Sequence, residues 1–176
     1  MLVSVSDLPG TGWTKMGEHV FRLGKLGEPT PWGQRAGKAG MFSALRVFKQ
    51  ASSETWIRFQ VLPLVSTEDA LSSVANWTTD NAMKNPNSQA ELVEERELPN
   101  VSIPHADTVR VISQETKTPT VKGFPYIVSA AVGSVALYVF ILRGDIPMAI
   151  EDIVELVSVQ TSKLSSKSFY PGLFES

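Results

Sequence analysis

Three groups of residues in this 176-residue chain could do chemistry by type and spacing. The first runs from Trp32 to Gly40 (WGQRAGKAG), with the glycine-rich, basic composition of a loop that cradles phosphate. Such a loop needs four residues between its glycines and a Ser or Thr after the lysine to hold magnesium. Here three residues separate Gly33 from Gly37, and Ala39 follows Lys38, so the motif is not a nucleotide phosphate loop. The second group is the two histidines, His19 and His105, far apart in the chain. A catalytic or metal-bound histidine needs partners within hydrogen-bond or coordination reach. Patterns such as HExxH, GxSxG and the calcium loop are absent, so both read as isolated surface or loop residues. The third group is Glu91, Glu94, Glu95 and Glu97 around Arg96. Paired carboxylates can share acid and base work, but on a strand these alternate between faces. An edge strand protected by charge accounts for them more simply. The sequence therefore points to no catalytic residue, no metal site and no cofactor.

What remains is binding. From Arg22 to Lys49 there are six Lys or Arg residues against one acid, Glu28, a local charge of +5. Loops held by a rigid sheet are common binding elements, and Trp and Arg are enriched at interface hot spots. Trp32, Arg35 and Lys38, in a Gly/Pro-rich basic loop over residues 24–40, are thus expected to contact an acidic protein partner or a small anionic or apolar ligand. A second candidate is the tail over residues 168–176, where Phe169, Tyr170, Leu173 and Phe174 could dock on the domain or on a neighbour.

Composition bounds the class. Apolar residues make up 43% of the chain and charged residues 19%, which suits a folded globular protein. A net charge of −2 gives no reason to expect nucleic acid, and the absence of cysteine excludes disulfides and thiolate chemistry. The length suits a single globular domain over residues 1–176. The first residues show neither a basic start nor an apolar core of signal-peptide length. The expected location is cytoplasmic as the chain is given, and the cell envelope if a leader has been removed.

The elements that must position these residues can be read from pattern. Tyr126–Leu142 is seventeen residues without a charge, short of the roughly 20 that a membrane helix needs. Its middle holds Gly133-Ser134, a pair suited to a tight hairpin turn. The reading is a hairpin of Tyr126–Val132 and Val135–Arg143, apolar on both faces and therefore central in a sheet covered on both sides. Gly12–Leu23, Met41–Gln50, Thr55–Leu64, Ala90–Leu98 and Asp107–Glu115 read as further strands. In Thr55–Leu64 one face is fully apolar, and the other carries Trp56, Arg58 and Gln60. Ser66 and Asp69 open a first helix that Asn85-Pro86 should close, with Leu71, Val74, Ala75, Thr78 and Ala82 at helical spacing. A second helix should start near Asp145 with Pro147 in its first turn and bury Ala149, Ile150, Ile153, Val157 and Leu164. The fold class is α+β, an antiparallel sheet with helices packed on it.

The order of pieces resembles a known group. Asp7–Trp13 (DLPGTGW) resembles the "DLP-x-GW" opening of many actinobacterial exported proteins. Ile57–Trp77 (IRFQVLPLVSTEDALSSVANW) is similar to their strand, turn and Trp-bearing helix, and Glu97–Asp107 (ELPNVSIPHAD) to the turn before their next strand. Tyr126–Leu142 resembles their two apolar strands around a tight Gly turn. The chain thus resembles the lipoprotein and kinase sensor-ectodomain group of actinobacteria, which implies a PsbP-like α/β sandwich. The paired or lipidated cysteines of that group have no counterpart here. The resemblance implies a non-catalytic binding module that senses a ligand or docks a partner, in the cell envelope or in a larger assembly. The alternatives are a structural subunit of a secretion system, respiratory complex or phage particle, or a small enzyme with a sheet–helix pocket using His19 or His105.

Overall fold

The computed structural model describes residues 2–22, 42–64, 66–77, 90–120, 122–144 and 146–166. The basic loop with Trp32, Arg35 and Lys38, and the tail with Phe169, Tyr170, Leu173 and Phe174, lie outside the described residues. Eight strands form one antiparallel sheet: β1 (Trp13–Arg22), β2 (Phe42–Gln50), β3 (Thr55–Pro63), β4 (Glu91–Leu98), β5 (Thr108–Lys117), β6 (Lys122–Gly123), β7 (Pro125–Val132) and β8 (Val135–Arg143). Their spatial order is β1-β2-β3-β8-β7-β5-β4, with β6 paired to the end of β5. The hairpin β7–β8, charge-free up to Leu142, stands at the centre, as its two apolar faces require, and every residue of β7 is buried. Gly133 turns it at φ +55°, a backbone conformation that glycine adopts without a Cβ clash. The turn is tied down by the Asp107 carboxylate, which accepts the Gly133 N–H at 2.7 Å.

Among the described residues one helix lies over each face. α1 (Thr67–Ala75) lies over β5, β7 and β8, burying Ala70, Ser73 and Val74. α2 (Ile150–Ser165) covers the opposite face, where Ile153, Leu156, Val157 and Leu164 share a core with Phe48, Ile57, Phe59, Val128, Leu137 and Val139. No described helix is long and apolar enough to cross a membrane, and the seventeen-residue apolar stretch is the central hairpin.

Both helices differ from the pattern-based expectation at one end. α1 starts as expected, with the Ser66 hydroxyl accepting the Asp69 N–H at 3.1 Å, but it stops at Ala75 rather than running to Asn85. Arg110 on β5 donates to the carbonyls of Ala75 and Trp77 at 3.2 and 2.9 Å, and Glu97 holds the same guanidinium at 2.9 Å. A cation at a helix C-terminus satisfies the last carbonyls and complements the helix dipole. Thr78 and Ala82 lie outside the described residues. α2 begins at Ile150 rather than Asp145, because Pro147 belongs to an extended lead-in. The Tyr126 hydroxyl donates to the Met148 carbonyl at 3.2 Å and holds that lead-in on the sheet. Ala149 is exposed as the N-cap instead of buried in the stripe.

The α2 face is closed by the N-terminal segment. The Val3 N–H donates to the buried Gln160 Oε1 at 3.0 Å, and Arg46 donates to the carbonyls of Leu2 and Val3. Beyond a 3-10 turn over Val5–Asp7, Lys163 of α2 pairs with Asp7 at 2.6 Å. Burial alone would raise the Asp7 pKa, but hydrogen bonds from Lys163 and Ser4 outweigh it and bring the value to about 2. A carboxylate held below its unfolded value adds stability that is complete above about pH 4 and is lost as pH falls toward 2. Solvent screening keeps the contribution to about 1 kcal/mol. Urea denaturation of the parent and of Asp7→Asn should show that difference at pH 7 and a shrinking one between pH 4 and 2. A gap that does not vary with pH would contradict the assignment.

Candidate ligand-binding site

Strand register sets out the α1 face in rows, because Cα partners in adjacent strands carry side chains to the same side. One row runs Gln60–Tyr138–Ser129–Arg110, and the next runs Val47–Arg58–Phe140–Ile127–Ile112. A third runs Lys49–Trp56–Leu142–Pro125. α1 meets the first of these and shares a core with Ile112 and Ile127 of the second. Its Ser73 hydroxyl meets the Tyr138 hydroxyl at 2.6 Å, and Trp77 just beyond it stacks on the Tyr138 ring at 5.7 Å.

Past that point a cleft of about 560 Å³ opens at the far end of the face, within the range of small-molecule sites. Trp56 and Leu142 form its floor, Lys49 and Glu54 stand on one side, and Thr116 and Lys122 on the other. A second hollow of about 280 Å³ lies on the α2 side near Trp13 and Asp152. It is half the volume, its Arg143 faces Asp152 at 3.8 Å, and Glu155 adds a second carboxylate, so it presents no unpaired cation among the described residues.

Two cations in or beside the larger cleft, Lys49 on its wall and Arg58 in the adjacent row, have no carboxylate partner among the described residues. Lys122 is paired with Glu115 at 2.6 Å, but Lys49 lies over the Trp56 ring, 5.1 Å from its centroid, with no carboxylate among the described residues. Arg58, in the adjacent row, lies 5.7 Å from the centroid of Phe140. Arg46, Arg96, Arg110 and Arg143 each pair with a carboxylate. Arg58 has none among the described residues, and burial alone pushes its guanidinium below the ordinary value. A cation–π contact returns about 0.5–2 kcal/mol, whereas withdrawing an ion from water costs several kcal/mol unless a counter-charge is supplied. Arg58 is thus a half-buried cation whose desolvation is only partly offset.

Two further buried polar atoms on this face lack partners, Trp77 Nε1 and Gln114 Oε1. Gln114 sits two residues from Thr116 on the same side of β5, beside the cleft.

The histidines and glutamates singled out by sequence fall elsewhere. His19 on β1 and His105 in the loop before β5 are both exposed, so neither faces the cleft interior that the enzyme reading requires. Among the described residues no three His, Cys, Asp or Glu side chains gather as metal ligands. Glu91, Glu94, Glu95 and Glu97 are exposed on β4, an edge strand, as their pattern implies. Trp56 and Arg58 were visible in the sequence only as the mixed face of one strand. The available signal was a cation and an indole two residues apart inside an otherwise apolar run.

No protein-family model matches the chain, and no curated protein matches it. Among solved structures it is similar to the extracellular domain of PknH from Mycobacterium tuberculosis, with a TM-score of 0.52, 10% identity, and coverage of 93% of this chain and 92% of that one. It is also similar to an uncharacterised protein of Mycobacterium smegmatis, an Rv0999 ortholog, with a TM-score of 0.46, 11% identity, and coverage of 89% and 90%. The antiparallel sheet with two helices packed on it is the α+β fold of the PknH extracellular domain. The likeness is one of fold.

Gly123 bounds the cleft for a steric reason. A Cβ there would sit 2.9 Å from Thr116 Oγ1 and 3.6 Å from Leu142 Cδ1. Gly123→Ala should cost about 1–2 kcal/mol in urea denaturation, in the range of overpacking. Adding Thr116→Ala should recover most of that loss, and no recovery would show that the contact does not limit this position.

Proposed function

We propose that the protein is a non-catalytic binding module that takes a small ligand in the cleft floored by Trp56 and Leu142. The observation that carries this reading is the cleft itself, a concave site with an aromatic and aliphatic floor, with Lys49 on its wall and Arg58 in the row beside it, both without a carboxylate among the described residues. The fold of a kinase extracellular domain supports a sensing role, since sensing needs a site that binds without turning over. Kinship with actinobacterial lipoproteins, the PsbP-like description and a single domain over residues 1–176 belong to the same proposal. So does a role for Trp32, Arg35 and Lys38, and for the tail residues Phe169, Tyr170, Leu173 and Phe174, as contacts to a protein partner that receives the signal.

Two experiments separate these parts. Titration with Nile red, an uncharged apolar dye, should give saturable fluorescence enhancement, and Trp56→Ala should weaken its affinity about five-fold or more, as expected for loss of an aromatic anchor. Unchanged affinity would remove the cleft from consideration. For the partner surface, alanine at Trp32, Arg35 and Lys38 together should abolish capture of an acidic partner while leaving Nile red binding intact. Capture that survives the triple change would end that assignment.

A further inference from the structure

One cation on the cleft wall and one in the row beside it point to the class of ligand, on the reading that the cleft is the binding site. Lys49 and Arg58 belong to adjacent rows of the same face. Lys49 is the register partner of Trp56, and Arg58 is that of both Val47 and Phe140. Diagonal neighbours of this kind are roughly 7–8 Å apart in an antiparallel pair, within the span of long side chains. Each cation lies over an aromatic ring, and neither has a carboxylate among the described residues. A guanidinium over a ring keeps its planar fork of N–H donors for a second partner. Carboxylate and phosphate match that fork in geometry and supply the missing charge. Among the described residues Glu54 is the one carboxylate lining the cleft, and it repels such a group rather than binding it. The floor beside the cations is Trp56 and Leu142, which offers nothing to a polar ligand body and favours an apolar one.

We propose that the cleft binds an anionic amphiphile, a carboxylate or phosphate carried on an apolar chain, with the anion at Arg58 and Lys49 and the chain along Trp56 and Leu142.

The test is displacement of Nile red from the full chain by decanoate, decyl phosphate, decanol and inorganic phosphate. Both decyl anions should bind about ten-fold or more tightly than decanol, with inorganic phosphate far weaker than decyl phosphate. Arg58→Gln should bring decanoate to within about two-fold of decanol, Lys49→Gln should narrow the gap by a smaller factor, and Glu54→Gln should widen it. Should Arg58→Gln fail to fold, the opposed responses of Lys49→Gln and Glu54→Gln carry the test alone. Equal displacement by decanoate and decanol would overturn the anion assignment while leaving the cleft as a site. Inorganic phosphate as effective as decyl phosphate would overturn the amphiphile and leave a free-anion site. Absence of any Nile red binding would overturn the cleft reading and this inference together.

Discussion

Everything else in the fold follows from a hairpin that is apolar on both faces. The strands of β7–β8 leave no side that water can cover without cost, and burying each Val, Leu or Ile is worth about 1.5–3 kcal/mol. The hairpin therefore has strands on both edges and a helix over each face. The two covers are unequal. α2 is sixteen residues long and α1 is nine, so α2 covers more of its face of the sheet than α1 does of the other.

That inequality separates stability from binding. On the α2 side the polar groups are answered: Gln160 by the Val3 N–H, Lys163 by Asp7, and Thr161 by the Pro104 carbonyl at 2.7 Å. The same contacts fasten α2 to the N-terminal segment on one flank and to the loop before β5 on the other. On the α1 side, the rows after Tyr138 carry two cations, Arg58 and Lys49, that have no carboxylate among the described residues. Buried polar groups are nearly always paired in folded proteins. The proposed ligand would supply the counter-charge that Arg58 and Lys49 lack among the described residues.

How much of this was legible in the sequence depends on how local the cause is. The hairpin was legible because its signal, a charge-free run broken by Gly133-Ser134, lies within the element itself. So were the capping of α1 by Ser66 and the charged edge strand β4. The end of α1 was not, because Arg110 sets it from a strand more than thirty residues away. The start of α2 was missed for a similar reason: the Tyr126 hydroxyl holds Met148 in an extended lead-in. β6 is two residues long and carries no periodicity. Arg58 could be placed on the mixed face of its strand, but its isolation from carboxylates depends on β2 and β8 being its neighbours. Spatial strand order decides that, and no local pattern encodes it.

The central claim is that the α1 face beyond Tyr138 is where this protein meets its ligand. The most direct measurement is a two-dimensional NMR titration with decanoate, following the Trp56 indole N–H and the Arg58 Nε–H resonances, with the Trp13 indole on the α2 side as the internal control. The account predicts saturable shifts at Trp56 and Arg58 with Trp13 unmoved. Shifts centred on Trp13, or none at Trp56 and Arg58 while ligand binds, would contradict it.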